Sequence, residues 1–195
     1  MRRALVVDDH LPSRKVLNNA LTESGYEVIG EAASGKTALT LAATTAPDVI
    51  LMAVGLPDVD GILTARKVMV THPCPIILLT SHYDKDTIER AKGAGVMGYL
   101  IKPLRAGELM PALELAISHF SEFVALQREN ENLKKTLEAR KVIERAKGIL
   151  MQKRGLSEAA AFSMIQKTSM ESRKMMVEVA QAIILAEGMN QKQKR

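Results

Sequence analysis

Two adjacent carboxylates, a hydroxyl and a lysine give this 195-residue chain the side chains that metal and phosphoryl chemistry require. Asp8 and Asp9 follow a short apolar run, and such a pair favours a hard cation with oxygen ligands, typically Mg²⁺. Thr80 and Lys102 follow later apolar runs, and a hydroxyl and an ammonium both bind phosphoryl oxygens. Taken singly, each of these residues is also compatible with an ordinary loop or capping role.

Five short apolar runs supply the strands that position these residues. Each run ends in a turn signal, and stretches with helical spacing lie between the runs, which is the pattern of a parallel sheet covered on both faces. The runs lie at residues 4–7, 27–32, 49–52, 76–79 and 98–101. In a doubly wound α/β sheet the ligand site forms at the carboxyl ends of the strands. We therefore predict a five-stranded sheet of this type with Asp8, Asp9, Thr80, Ser81 and Lys102 at its carboxyl edge.

The third strand is followed by Ala53, where a carboxylate able to accept a phosphoryl group is expected. A methyl group accepts no phosphoryl group, and the site also loses one metal ligand and one negative charge. We therefore expect weak Mg²⁺ binding. An enzyme acting on small phosphates is disfavoured, because the site lacks its nucleophile and any second acid or base.

Residues 1–120 resemble the receiver domain of two-component response regulators, which has a flavodoxin-like fold. The resemblance rests on segments that span the domain: Val6-Val7-Asp8-Asp9, Pro57-x-x-Asp60-Gly61, Thr80-Ser81 and Gly98-Tyr99-Leu100-Ile101-Lys102-Pro103. It implies that Asp8, Asp9 and the Gly55 carbonyl hold Mg²⁺. It also implies that Thr80 and Tyr99 form a switch pair, and that Lys102 contacts the phosphoryl group. Ala53 then occupies the phosphoacceptor position, and the expected partner is a cognate histidine kinase.

Two explanations of Ala53 stay open. The chain is either a natural pseudo-receiver controlled by a protein partner, or a variant in which Asp was replaced by Ala to hold the off state. All the other residues of the site are present, whereas the residues of a pocket long out of use should be replaced over time. A recent or engineered loss of the aspartate is therefore favoured.

Residues 106–153 are rich in strong helix formers and contain one proline, Pro111, near the start. Several apolar side chains in the middle of this stretch have heptad-like spacing, with an asparagine among them, and they are Phe123, Leu126, Asn130, Leu133 and Leu137. This pattern predicts a coiled-coil linker over residues 121–139 and therefore a homodimer. The alternative is an amphipathic helix packed on its own receiver.

The positive charge of the chain is concentrated in its second half. Residues 1–120 hold 12 Lys/Arg against 13 Asp/Glu, a net of −1, and residues 121–195 hold 15 against 9, a net of +6. A polyanion is therefore expected to contact the second half, although a solvated basic surface explains the charge equally well. Nine basic residues form the candidate contact set: Arg140, Lys141, Arg145, Lys147, Lys153, Arg154, Lys167, Arg173 and Lys174.

Residues 140–188 show apolar spacing of three and four, which predicts a small three-helix bundle. The first helix should stop at Gly155, the second should begin at the N-cap Ser157, and the third should start after Thr168-Ser169. Residues 189–195 are expected to form a basic disordered tail. The segment has no CxxC or His pairs for a zinc finger, whereas a helix-turn-helix is not excluded by this pattern.

Residues 138–188 resemble the ANTAR domain, the RNA-binding output module of transcription antiterminators. The matching segments are RKVIERAKGILM at 140–151, GLSE at 155–158, Ala161-Phe162, Thr168-Ser169-Met170 and Val179-Ala180. The resemblance implies that a dimer binds paired stem-loops in mRNA leaders and so prevents a terminator hairpin from forming. We therefore predict a response regulator that acts as an antiterminator, with the receiver gating dimerisation. The alternatives are a pseudo-receiver controlled by a protein partner and a DNA-binding response regulator.

The chain shows no targeting or membrane signal that we recognise. The apolar run at residues 4–7 is too short for a signal peptide, and the longest apolar stretches fall below the ~18 residues of a membrane span. The single cysteine, Cys74, has no partner for an internal disulfide. These features predict a cytoplasmic protein.

Overall fold

The computed structural model describes residues 1–81, 85–105 and 107–192, with side chains described through residue 187. By its internal contacts the chain divides into two compact units, Met1–Val124 and Ala125–Arg195.

The first unit contains a five-stranded parallel sheet whose strands follow the order β2-β1-β3-β4-β5. The strands are β1 (Arg2–Val7), β2 (Tyr26–Ala32), β3 (Val49–Ala53), β4 (Ile76–Thr80) and β5 (Gly98–Ile101). The strand order reverses direction at β1, so the carboxyl ends of β1 and β3 flank the crevice in which such sheets bind ligands. The predicted doubly wound, flavodoxin-like α/β fold is confirmed.

Helices cover both faces of this sheet, which explains the continuous apolar runs in the central strands β1, β3 and β4. They are α1 (Leu11–Glu23), α2 (Gly35–Thr45), α3 (Gly61–Thr71), α4 (Lys85–Gly93) and the start of α5 (Leu109–Arg154). Neighbouring strand residues enter opposite cores: Leu5 and Ile50 belong to the core on one face, and Val6 and Leu51 to the core on the other. Side chains alternate between the faces of a strand, so a sheet buried on both faces needs apolar residues at every position.

Helix α5 is 46 residues long. The predicted start at Ala106 lies outside the described residues, and the helix begins at Leu109, with Pro111 in its first turn, where a missing amide proton costs nothing. A stretch of α5 is long and apolar enough to cross a membrane, although only 17% of it is buried. Helices of soluble proteins can have the same length and composition, so one such helix is weak evidence for a membrane span.

The second unit is helical and consists of the last part of α5 together with α6 (Glu158–Ser172) and α7 (Met176–Lys192). Its core is formed by small and aliphatic side chains, namely Ala146, Leu150, Ala161, Ile165, Val179 and Ala180. Helix α5 ends one residue before Gly155, which has a φ of +64°. The Ser157 hydroxyl accepts a hydrogen bond from the Ala160 amide at 3.2 Å. The predicted helix stop and N-cap are both confirmed.

The predicted start of the last helix was wrong, because α6 continues through Thr168 and Ser169. The Thr168 hydroxyl bonds back to the Met164 carbonyl at 2.9 Å, so it is satisfied inside the helix and does not end it. The turn comes instead at Arg173, whose φ is +54°, and the Ser169 hydroxyl holds it by donating to the Lys174 carbonyl at 2.6 Å.

The predicted disordered tail also needs correction. Helix α7 reaches Lys192, so residues 189–192 are helical, and residues 193–195 lie outside the described residues.

Candidate functional site

The carboxyl edge of the sheet brings Asp8, Thr80 and Lys102 together. Asp8 is fully buried at the end of β1, where one carboxylate oxygen accepts from the His10 amide at 3.0 Å. Its other oxygen forms an ion pair with the Lys102 ammonium, which is itself only 24% exposed. The Lys102 amide donates to the Thr80 carbonyl at 2.7 Å and so ties the end of β5 to the end of β4.

Ala53 is the last residue of β3 and is 2% exposed. The backbone of Gly61, at the start of α3, packs directly onto it, since a Cβ atom on Gly61 would lie 2.0 Å from the Ala53 carbonyl oxygen. Only glycine permits this approach. A methyl group therefore stands at the strand end where the sequence predicted the acceptor position.

The loop between β3 and α3, which carries Gly55, is fixed by two carboxylates: Asp60, which belongs to the segment quoted above, and Asp58, which the sequence analysis did not single out. Asp58 accepts hydrogen bonds from the amides of Gly35 at 2.7 Å and Lys36 at 3.0 Å, at the start of α2. Asp60 caps α3 and also accepts from the Arg90 guanidinium of α4 at 2.9 Å. The loop is therefore tied to α2, α3 and α4.

The bonds that Asp58 accepts have a consequence for acid stability. Backbone hydrogen bonds, that from Lys36 first, lower the pKa of Asp58 from 3.8 to about 2. A carboxyl group whose pKa is lower in the folded state stabilises the fold above its unfolded pKa, and this contribution is lost as the pH falls through the folded pKa. We expect Asp58→Asn to lower the free energy of unfolding at pH 7, and the difference from wild type to shrink between pH 4 and pH 2. Urea denaturation at several pH values tests this, and a difference that does not change with pH would contradict it.

The remaining predicted pocket residues are more exposed. Asp9 and Gly55 lie at the surface, and Tyr99 on β5 is 44% exposed. Arg14, which the sequence analysis missed, donates to the backbone carbonyls of Asp8 at 2.6 Å and Asp9 at 3.3 Å. Arg14 lies within the sequence of α1 and belongs to no motif, so no sequence pattern identified it.

The residues present do not fit a complete Mg²⁺ site. Lys102 already occupies one oxygen of Asp8, and Ala53 offers no oxygen at all from its side chain. Within residues 1–81, 85–105 and 107–187, no three His, Cys, Asp or Glu side chains are grouped so that they could hold a metal ion. The pocket retains a buried carboxylate, its lysine and a neighbouring hydroxyl residue.

The nine candidate RNA-binding residues lie at the end of α5, on α6 and in the turn after α6, and eight of them are exposed. Lys147 is the exception, with a side chain only 8% exposed. It donates to Glu158 at 2.7 Å and to Glu144 at 3.0 Å, and these hydrogen bonds raise the pKa of its ammonium. This ion triad joins α5 to the first residue of α6, so Lys147 presents little free charge to a ligand.

The other basic residues differ in how far their charge is already paired. Lys141, Lys153 and Lys167 form ion pairs with Glu138, Glu187 and Glu171, at 2.7, 3.0 and 3.8 Å. Five have no ion pair with a carboxylate in the described part of the chain, and these are Arg140, Arg145, Arg154, Arg173 and Lys174. Unpaired guanidinium and ammonium groups are the groups that contact phosphates.

The predicted dimerisation residues form an exposed stripe along the middle of α5. The exposed fractions of Phe123, Leu126, Leu133 and Leu137 are 41%, 65%, 63% and 54%. Together with Asn130 they repeat with spacings of three and four residues, which is the spacing of a two-stranded coiled-coil seam.

Comparison with known proteins agrees with this two-part arrangement. The family model described as the response regulator receiver domain matches residues 4–114, and that of the ANTAR domain matches residues 131–184. The chain therefore belongs to the response regulators in which a receiver domain is followed by an ANTAR RNA-binding domain.

One relative matches almost the whole chain. The transcriptional regulatory protein PdtaR of Mycobacterium tuberculosis is 42% identical over 183 residues, which cover 94% of this chain and 89% of that protein. YdfI of Bacillus subtilis, also a transcriptional regulatory protein, is 35% identical over 118 residues, covering 60% of this chain and 55% of that one. Among solved structures, the receiver domain of a response regulator from M. tuberculosis, NarL, is 31% identical with a TM-score of 0.57, covering 60% of this chain and 96% of that domain.

Proposed function

We propose that this chain is a transcription antiterminator, and not an enzyme, that binds paired RNA stem-loops as a homodimer in the cytoplasm. The observation that carries the proposal is the ANTAR module, which presents basic residues without an ion pair in the described part of the chain and follows the exposed heptad stripe of α5. These basic residues are Arg140, Arg145 and Arg154 at the end of α5, and Arg173 and Lys174 in the turn after α6. Two modules joined by a coiled coil reach two loops, and linkage of this kind raises affinity about 10²- to 10⁴-fold without new contacts.

Loops are a suitable target for this module, because their unstacked bases are accessible to side chains. Aromatic side chains are few in the second unit, and Phe162, at 41% exposed, is the one phenylalanine of α6. We therefore expect arginine, lysine and polar contacts to dominate, and the affinity to depend strongly on salt.

We further propose that the receiver gates dimerisation and that Ala53 removes phosphorylation at the acceptor position. In an intact receiver, phosphorylation would favour the dimer. With Ala53, the chain stays off unless a high concentration or a protein partner drives dimerisation. The buried Ala53 methyl beside the Asp8–Lys102 pair supports this proposal, and it also supports weak Mg²⁺ binding. The partner is a sequestering protein, or a cognate histidine kinase that still recognises the receiver.

The test is binding of the full chain, at near-physiological salt, to an RNA with two stem-loops, against a scrambled RNA and a duplex DNA. We expect a clear preference for the stem-loops. The charge reversal Arg140→Glu/Arg145→Glu should abolish that preference, whereas Lys15→Glu/Lys85→Glu, with the same charge change at exposed receiver positions, should retain it. A preference for duplex DNA would instead support a DNA-binding response regulator.

The ion triad of Lys147, Glu144 and Glu158 predicts different salt dependences for two neighbouring basic residues, Arg145 and Lys147. Each phosphate contact contributes about −0.7 to the slope of log K against log [salt] for single-stranded nucleic acid. Arg145→Met should make the slope shallower by about this amount, since its exposed charge is free to contact phosphate. Lys147→Met should leave the slope unchanged, because its charge is already paired with Glu144 and Glu158. Equal changes in the two variants would show that Lys147 leaves its triad to bind RNA.

A further inference from the structure

The outer surface of α2 and α3 carries an apolar groove that none of the functions above uses. The groove measures about 570 Å³ and is lined by Leu39 and Ala43 of α2 and by Leu63 and Val70 of α3. Val70 is 81% exposed and Leu63 46% exposed, so both present apolar surface to solvent. Concave apolar surface of this kind, rimmed by charge, is typical of an interaction site.

The two charged residues that line this groove are both basic. Arg66 and Lys67 of α3 line it, and Lys36 lies one helical turn before Leu39 on α2. Neither α2 nor α3 contains an aspartate or a glutamate. Arg66 and Lys67 form no ion pair with the described residues, so their charge is available to a ligand.

We propose that this groove binds an acidic amphipathic helix of a partner protein. An apolar channel between two helices accepts the apolar face of a helix with anchors spaced by three and four residues. The basic rim then selects acidic residues beside those anchors, because like charges at the rim would repel. An anionic membrane would satisfy the charge but not the concave shape, and nucleic acid offers no apolar face for Leu63 and Val70.

The two helices that form the groove also contact each other and the loop that follows Ala53. Gly35, at the start of α2, packs so closely on α3 that a Cβ atom there would lie 2.5 Å from the Thr64 hydroxyl. Asp58 bonds the same end of α2 to the loop that follows Ala53, as described above. A bound partner helix that changes the spacing of α2 and α3 therefore also shifts the loop after Ala53, and this shift needs no phosphoryl group. The binding proposal itself does not depend on RNA binding, and its test measures only the groove.

The experiment uses fluorescence anisotropy with the full chain and a labelled synthetic helical peptide that has leucines at i, i+3, i+4 and i+7 and glutamates elsewhere. A matched peptide carries lysine in place of every glutamate. We expect saturable binding of the acidic peptide only. Val70→Glu should weaken binding about tenfold or more. Val16→Glu, at an exposed valine of α1 (61% exposed), should leave it unchanged.

The double charge reversal Arg66→Glu/Lys67→Glu provides the second arm. It should abolish binding of the acidic peptide and create binding of the lysine peptide, which a merely misfolded variant would not do. The proposal is overturned if the acidic peptide binds every variant equally, or if it fails to saturate below about 1 mM. It is also overturned if phosphatidylglycerol vesicles, and not the peptide, bind in a Val70-dependent way.

Discussion

The Ala53→Asp variant is expected to gain one phosphoryl group from a small phospho-donor in the presence of Mg²⁺, whereas the chain with Ala53 gains none. The substitution restores a carboxylate at the end of β3, beside the pocket that already holds Asp8 and Lys102. In the reaction, a carboxylate oxygen attacks phosphorus and the donor's leaving group departs, so the protein mass rises by one phosphoryl group. Intact-protein mass spectrometry measures this directly.

The control for this prediction is Ala53→Asn, which has the shape of aspartate but no carboxylate. It should remain unmodified under the same conditions. If Ala53→Asp also remains unmodified although it is folded, the assignment of this pocket to receiver chemistry is wrong. If the chain with Ala53 is modified, another residue accepts the phosphoryl group, and the proposal that this position controls the receiver fails.

The second large effect is expected from Leu133→Lys in the exposed stripe of α5. Leu133 is 63% exposed in the single chain, so the substitution should leave the fold intact, while a charge in a coiled-coil seam disfavours pairing. Sedimentation analysis should show loss of the dimer. Affinity for an RNA with two stem-loops should fall by about 10² or more, because the avidity of two linked modules is lost, while affinity for one stem-loop is retained.

Leu115→Lys is the matched control, since Leu115 is similarly exposed, at 57%, on the same helix but outside the stripe. It should leave both dimerisation and RNA affinity unchanged. If Leu133→Lys remains dimeric, the stripe is not the dimer seam. If it becomes monomeric but still binds two stem-loops as tightly, avidity does not account for the affinity.

The sheet and the strand-end pocket were predictable because their signals are local. A strand buried on both faces must be apolar throughout, so the runs at β1, β3 and β4 were visible in the sequence. The carboxyl-end rule then brings Asp8, Thr80 and Lys102 together although Lys102 lies 94 residues after Asp8. Gly155 and Ser157 were predictable for the same reason, since a helix stop and an N-cap depend on the residue itself.

Features that depend on tertiary contacts were not predictable. No sequence motif marks Asp58. Its role depends on the start of α2, because the Gly35 amide that it binds lies 23 residues earlier in the sequence. In the sequence, Lys147 does not differ from its basic neighbours. Its ion pair with Glu158 forms only because the turn after α5 places Glu158 beside it. The end of α6 was missed because the hydroxyls of Thr168 and Ser169, which favour turns in general, are satisfied by backbone carbonyls.

The most direct test of the central claim is the effect of a phospho-donor on the affinity of the full chain for an RNA with two stem-loops. The chain with Ala53 and its Ala53→Asp variant would each be titrated at fixed salt, with and without the donor. We predict that the donor tightens binding by the variant about tenfold or more and leaves binding by the Ala53 chain unchanged. A donor effect on the Ala53 chain, or no selective binding of stem-loops by either protein, would contradict the account.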